Sequence, residues 1–241
     1  IEPFRRWLAV FDGSAVDGTV EAQIAGTLDP GRRVPVRFEV ELRMVTPCWV
    51  QDNSPEKVAR MSGADALEAA HMGIGWRLEH LLRGEGTFTV DGRTREFRAV
   101  GSRIKRQSVR PLGGFHGHCW QSAVFPDGRA FGYIAYPPRA DGSAYNEGYV
   151  YQDGRMYPAR ALSVPWLRRI VGAGDEASLV LESELGTTRI EGVTALSTFR
   201  VGNPDIGGLN LQQGGARYTW DGQSAWGMIE RSAHESLTTI G

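Results

Sequence analysis

In the stretch VPVRFEVELRM, residues 34–44, Val34, Val36, Phe38, Val40, Leu42 and Met44 alternate with a second set that includes Arg37, Glu39, Glu41 and Arg43. A period of two sends the sets to opposite faces of an extended chain, so the pattern predicts a half-buried antiparallel strand. Similar segments recur at GEGTFTVDG, REFRAVGSRI, RAFGYIAYP, EGYVYQDGRMYPAR, ASLVLESEL, TRIEGVTALSTFRV, ARYTWDG and AWGMIERS. Asp91-Gly92, Asp127-Gly128, Asp141-Gly142, Asp153-Gly154 and Asp221-Gly222 punctuate the chain, and such pairs tolerate the positive φ angles of tight hairpins. Strand after strand joined by short turns predicts an all-β protein built of antiparallel β-barrel or sandwich units.

One interruption reads as helical. NSPEKVARMSGADALEAAHM offers Ser54 as N-cap, Pro55 at the first helical position and Glu56 in the first turn, with a split expected at Gly63. This predicts an N-terminal β unit over 1–52, a helical connection over 53–72 and a C-terminal β unit over 73–241. WLRRIVGAGDEA reads as a second short helical connection.

Composition adds exclusions. With 241 residues, 41% hydrophobic and 23% charged, the chain has the makings of an ordinary folded core. A net charge of -1 supplies no global field for nucleic acid or an anionic membrane. No apolar run is long enough to span a bilayer, and the N-terminus lacks signal-peptide organisation, although a chain opening at Ile1 leaves a trimmed leader open. Cys48 and Cys119 form no C-x-x-C pair, which favours reduced thiols and a cytoplasmic setting.

Candidate chemistry concentrates in four stretches. In GGFHGHCWQS, His116 and His118 are two apart, so on a strand both share a face with Trp120 behind them. Three readings stand: a His-x-His metal site, ordinary strand histidines, and a metal-free pocket where an imidazole transfers a proton. A cupin-like metal centre also needs a nearby carboxylate and a later histidine, and here Gln121, Ser122 and Ala123 follow. RIKRQSVR carries Arg103, Lys105, Arg106 and Arg110, either a clamp for a carboxylate or phosphate or a charged strand edge. In YPPRADGSAYNEGYVY, Tyr145, Glu147, Tyr149 and Tyr151 share a face, as in an aromatic pocket wall with one carboxylate, or simply as strand packing. In WDGQSAWGMIERS, Trp226 is a candidate wall residue, and Glu230-Arg231 reads as a surface ion pair. No G-x-S-x-G, P-loop, dinucleotide fingerprint or H-E-x-x-H occurs.

RLEHLLRGEGTFTVDGR, AVGSRIKRQSVRPL and RYTWDGQSAWGMIERS give the chain a resemblance, over roughly residues 76–232, to the superfamily of AttH-like proteins and carotenoid hydratases of the hydroxyneurosporene synthase type. The resemblance implies two lipocalin-like β domains in tandem. Many relatives carry Asp-His-Ser-Trp-Gly after a Gly-x-Arg, followed by an Arg. Here Gly101, Arg103 and Arg110 match, while residues 104–108 are Ile-Lys-Arg-Gln-Ser, so no acid or base carries over at that position. The resemblance further implies a cavity for a lipophilic ligand such as an isoprenoid, polyketide or steroid, and cofactor-free hydration, dehydration, isomerisation or cyclisation.

These readings combine into an expected lyase or isomerase acting on a small lipophilic partner, without nucleic acid, an integral membrane segment or a metal. His116, His118, Glu147 and Arg103 are the expected catalytic residues, and Trp120, Gln121, Tyr145, Tyr149, Arg110 and Trp226 the expected binding residues. A lipocalin-like carrier without chemistry is the alternative, and a His-x-His metal enzyme a third.

Overall fold

The computed structural model describes residues 2–109, 115–195, 199–203 and 208–240, with 199–203 described by backbone alone. Its first sheet contains β1 (Arg6–Val16), β2 (Arg33–Met44), β3 (Trp49–Asn53), β4 (Gly75–Val90) and β5 (Arg93–Arg106). The long β4 is central: β3 and β2 pair in succession along one edge and β5 along the other, all antiparallel. Residues 75–106, grouped with the C-terminal unit from sequence, therefore hydrogen-bond within the same sheet as residues 6–53.

Beyond Gly117 come β6 (Gly117–Val124), β7 (Ala130–Ala135), β8 (Asn146–Gln152), β9 (Arg155–Ser163), β10 (Arg169–Ile170), β11 (Leu179–Ser183), β12 (Gly186–Thr194), β13 (Phe199–Asn203), β14 (Leu209–Trp220), β15 (Gln223–His234) and β16 (Thr239–Ile240). Eight of them, β6-β7-β8-β9-β11-β12-β14-β15, pair antiparallel in that order, and β15 returns to β6 to close a barrel. The all-β expectation thus holds: a closed antiparallel barrel, additional sheets and few helices. Asp91-Gly92, Asp153-Gly154 and Asp221-Gly222 each have two positive φ angles, the type I′ hairpin geometry.

The barrel encloses a hydrophobic core. Phe125, Phe131, Tyr133, Leu179, Leu181, Ile190, Tyr218 and Ile229 pack inside it. The outward faces of β6 to β8 are covered as well, because Trp120, Val124, Ala130, Ile134 and Tyr149 pack against Trp49, Met72 and Leu81 from the first sheet and its helices. This double cover explains why β6 and β7 are buried along their whole length.

The helical stretch forms as expected, in two pieces: α2 (Pro55–Val58), capped by Ser54, and α3 (Gly63–Met72), capped by Ser62. A six-residue helix, Val20–Ala25 (α1), was not foreseen. WLRRIVGAGDEA forms no helix; it contains β10, which pairs parallel to β16. The helical spacing of Leu167 and Ile170 instead serves a small core shared with Ile24 and Ala233, and Gly174 turns the chain at a φ of 80°.

Candidate functional site

The barrel wall that faces the first sheet is organised in levels. Gln213, Glu230, Trp120, Ile134 and Glu147 are direct cross-strand neighbours in series from β14 through β15, β6 and β7 to β8. Ser232 and His118 form the next level. Opposite them, alternation places Gln51, Arg77, Glu79, Ser102, Ile104 and Arg106 on the barrel-facing side of β3, β4 and β5. A cavity of about 520 Å³ lies between the two walls, lined by Met72, Arg77, Ser102, Ile104, Arg106, His118, Trp120, Ile134, Gln213, Met228 and Glu230.

His118 is buried, and both ring nitrogens are held. Nδ1 lies 2.7 Å from Ser232 Oγ and Nε2 lies 2.8 Å from Glu230 Oε1. Ser232 Oγ also accepts the His118 backbone N–H at 3.1 Å. That bond leaves the hydroxyl hydrogen free to donate to Nδ1, which assigns the proton of a neutral imidazole to Nε2, facing Glu230. The second Glu230 oxygen accepts from Gln213 Nε2. Burial on its own raises the Glu230 carboxyl, but the hydrogen bond and charge of His118, the Gln213 amide and the nearby Arg77 together hold it below the ordinary carboxylate range. Glu230 thus faces the cavity as a stabilised carboxylate.

A second ion pair lies deeper in the seam. Arg77 Nη1 is 2.7 Å from Glu79 Oε2, and both side chains are almost fully buried. The Arg77 guanidinium sits over the Trp120 ring at 4.8 Å and the Trp49 ring at 5.6 Å. Burial pushes the Glu79 carboxyl above its usual value, against the pull of Arg77. Arg106 donates to Met72 O at 2.5 Å and to Gln51 Oε1 at 3.3 Å. Gln51 in turn donates to Tyr145 Oη at 3.2 Å, and Tyr145 donates to Glu147 Oε1 at 3.0 Å. A polar chain therefore links Glu147 to the cavity wall.

The structure brings His118 and Trp120 together in this cavity. His116 precedes β6 and opens, exposed, into a separate cavity of about 290 Å³ with Glu68, His71 and Arg139. The expected shared face is lost because Gly117, at a φ of 125°, breaks the alternation. Among the described residues no group of three or more His, Cys, Asp or Glu side chains is placed to hold a metal ion. Arg103 lies on the opposite face of β5, its guanidinium 4.0 Å over the Trp7 ring. Gln121 points into the barrel and bonds Tyr133 and Tyr218. Tyr149 packs against Trp49 at 5.3 Å. Trp226 lines a neighbouring cleft of about 890 Å³, and Arg110 lies outside the described residues.

Glu230 is not the surface partner of Arg231 that adjacency suggested. Neighbours in a strand face opposite ways, so Glu230 enters the seam while Arg231 enters the barrel, bonding Asp175 at 2.6 Å and Gln212 at 2.6 Å. Counting back from Glu230 to Met228 and Trp226 along β15 gives the signal that identifies its face. Arg77 and Ser232 carried no comparable sequence signal.

The family described as "Domain of unknown function (DUF7064)" matches residues 2–235. No curated protein matches in sequence. Among solved structures, the fold is similar to that of a protein assigned as an AttH from Nitrosomonas europaea, with a TM-score of 0.52 and 12% identity over 84% of this chain and 65% of that chain. Kievitone hydratase from Nectria haematococca aligns at a TM-score of 0.45 and 11% identity, over 83% of this chain and 64% of that chain. The chain thus spans less than two thirds of the length of either protein. The AttH likeness confirms the sequence resemblance at the level of the fold.

Proposed function

This chain belongs to the family described as "Domain of unknown function (DUF7064)", and we propose that it is a cofactor-independent enzyme that adds water to, or removes it from, a small lipophilic metabolite in the seam between sheet and barrel. The observation that carries this reading is the His118–Glu230 pair, fixed at 2.8 Å and facing a cavity whose apolar wall is Met72, Ile104, Trp120, Ile134 and Met228 and whose polar wall adds Arg77, Ser102, Arg106 and Gln213. Hydration of an alkene requires a proton delivered to one carbon and a proton removed from the attacking water. In the protonated state the His118–Glu230 pair supplies the first proton, and afterwards the same pair, now without it, takes the second from water. Trp120 lines the same cavity, with the Arg77 guanidinium over its ring. Dehydration runs the same steps backwards. A pair of this kind contributes about 10²–10⁴ in rate, and the walls of the seam add positioning.

The test is incubation of the protein in ¹⁸O-labelled water with a panel of prenylated phenols and acyclic terpenoid alkenes and alcohols, read by mass spectrometry. Incorporation or loss of label by wild type, reduced about 10²–10⁴-fold in His118→Gln and Glu230→Gln with ligand affinity kept, supports the reading. Tight binding with no turnover by any variant replaces it with a carrier function.

A further inference from the structure

The 520 Å³ cavity does not end at Met228. That residue also lines the 890 Å³ cleft, and the two spaces run along the same three strands. On β5 the lining passes from Arg106, Ile104 and Ser102 to Val100, and on β15 from Glu230 through Met228 to Trp226. On β14 it passes from Gln213 to Gly215. Glu230 and Trp226 are four residues apart on one face, which at the rise of a strand is about 13 Å. The seam is therefore a groove, polar around His118 and Arg77 and, toward Trp226, floored by Ala99, Val100, Gly215 and Met228 with Arg83, Glu85 and Arg98 also lining it.

The end around His118 holds a buried cation. Arg77 is 5% exposed and lines the cavity. Its ion-pair partner is Glu79, 2.7 Å from Nη1, and its charge also acts on the nearby Glu230. Stacking between Trp49 and Trp120 fixes the plane of the guanidinium, so its donors are preorganised for a planar oxygen pair. At the other end, Gly215 faces Met228 across the strand pair, lines the cleft without a side chain, and has no positive φ that would strain a substitution.

Resting on the seam reading above, we propose that the ligand is an elongated amphiphile, with a carboxylate head held by Arg77 and an apolar tail lying over Gly215 toward Trp226. The cation clamp sought in the Arg103–Arg110 stretch is thus supplied from β4, on the opposite wall to His118.

Isothermal titration with decanoate, decan-1-ol and hexanoate tests this. Wild type is expected to bind decanoate roughly tenfold or more tighter than decan-1-ol, the effect of a charge-assisted hydrogen bond. It should prefer decanoate over hexanoate by up to on the order of a hundredfold, from the methylenes buried. Arg77→Gln/Glu79→Gln, which leaves no lone buried carboxylate, should bind decanoate and decan-1-ol alike. Gly215→Leu should reduce decanoate affinity to the hexanoate level, and circular dichroism checks that both variants fold. Equal binding of decanoate and decan-1-ol by wild type, undiminished decanoate binding by Gly215→Leu, or no decanoate binding at all would overturn the proposal. Turnover that depends on His118 but not on Arg77 or Gly215 would sink this inference and leave the catalytic reading standing. Binding that depends on both positions, without turnover, would do the reverse.

Discussion

His118 is held from both sides, by Ser232 at Nδ1 and Glu230 at Nε2, and each contact makes a separate prediction. Ser232→Ala removes the donor that fixes the tautomer, so turnover should fall while ligand affinity, measured by titration, stays within about twofold. Because the folded Glu230 carboxyl lies below its ordinary 4.5, the stability it contributes is present above that pH and is lost as pH falls through the lower folded value. Urea denaturation of wild type and Glu230→Gln should therefore show a stability gap at neutral pH that closes in acid; a gap independent of pH would remove Glu230 as the source. At this scale the sequence was partly legible. Alternation placed His118 and Trp120 on one face, but His116 left it because Gly117 turns the backbone, an effect invisible to a period-two count. Glu230 was obscured by its neighbour Arg231, whose opposite charge suggested a pair that the strand geometry forbids.

The strands were the most legible elements, because alternation and Asp-Gly turns act locally and agree with each other. The same holds for α2, where Ser54 accepts the Lys57 N–H as an N-cap should. Illegible were features decided by distant partners: Leu167 and Ile170 share a helical spacing, yet a small core with Ile24 claims them. The tightness of the barrel wall gives an element-scale prediction. A Cβ at Gly148 would lie 2.5 Å from the Gly132 carbonyl oxygen and from Tyr133 Cβ, so no rotamer relieves it. Gly148→Ala should destabilise the barrel by about 1–3 kcal/mol in chemical denaturation. Phe131→Ala, which empties part of the hydrophobic core, should cost about 3–5 kcal/mol.

At the scale of the whole molecule, the proposed site lies where the sheet meets the outside of the barrel. Hydrophobic patterning predicts that β6 and β7 are buried but not what buries them, so the seam could not be read from the chain. The same is true of the pairing of residues 75–106 with 6–53, which depends on which strand edges meet. Trp49, Trp120 and Tyr149 belong to one cluster spanning both walls. The sheet and barrel should therefore unfold in a single transition that Trp49→Ala lowers by about 3–5 kcal/mol, whereas two resolved transitions would show the seam to be a weak contact. The most direct test of the central claim is native mass spectrometry of wild type and His118→Gln purified from the protein's own host. The account predicts a lipophilic molecule released from both, with the species held by the variant differing from the wild-type species by one water. Protein that carries no lipophilic molecule, or wild type and variant carrying the same species in the same amounts, would contradict it.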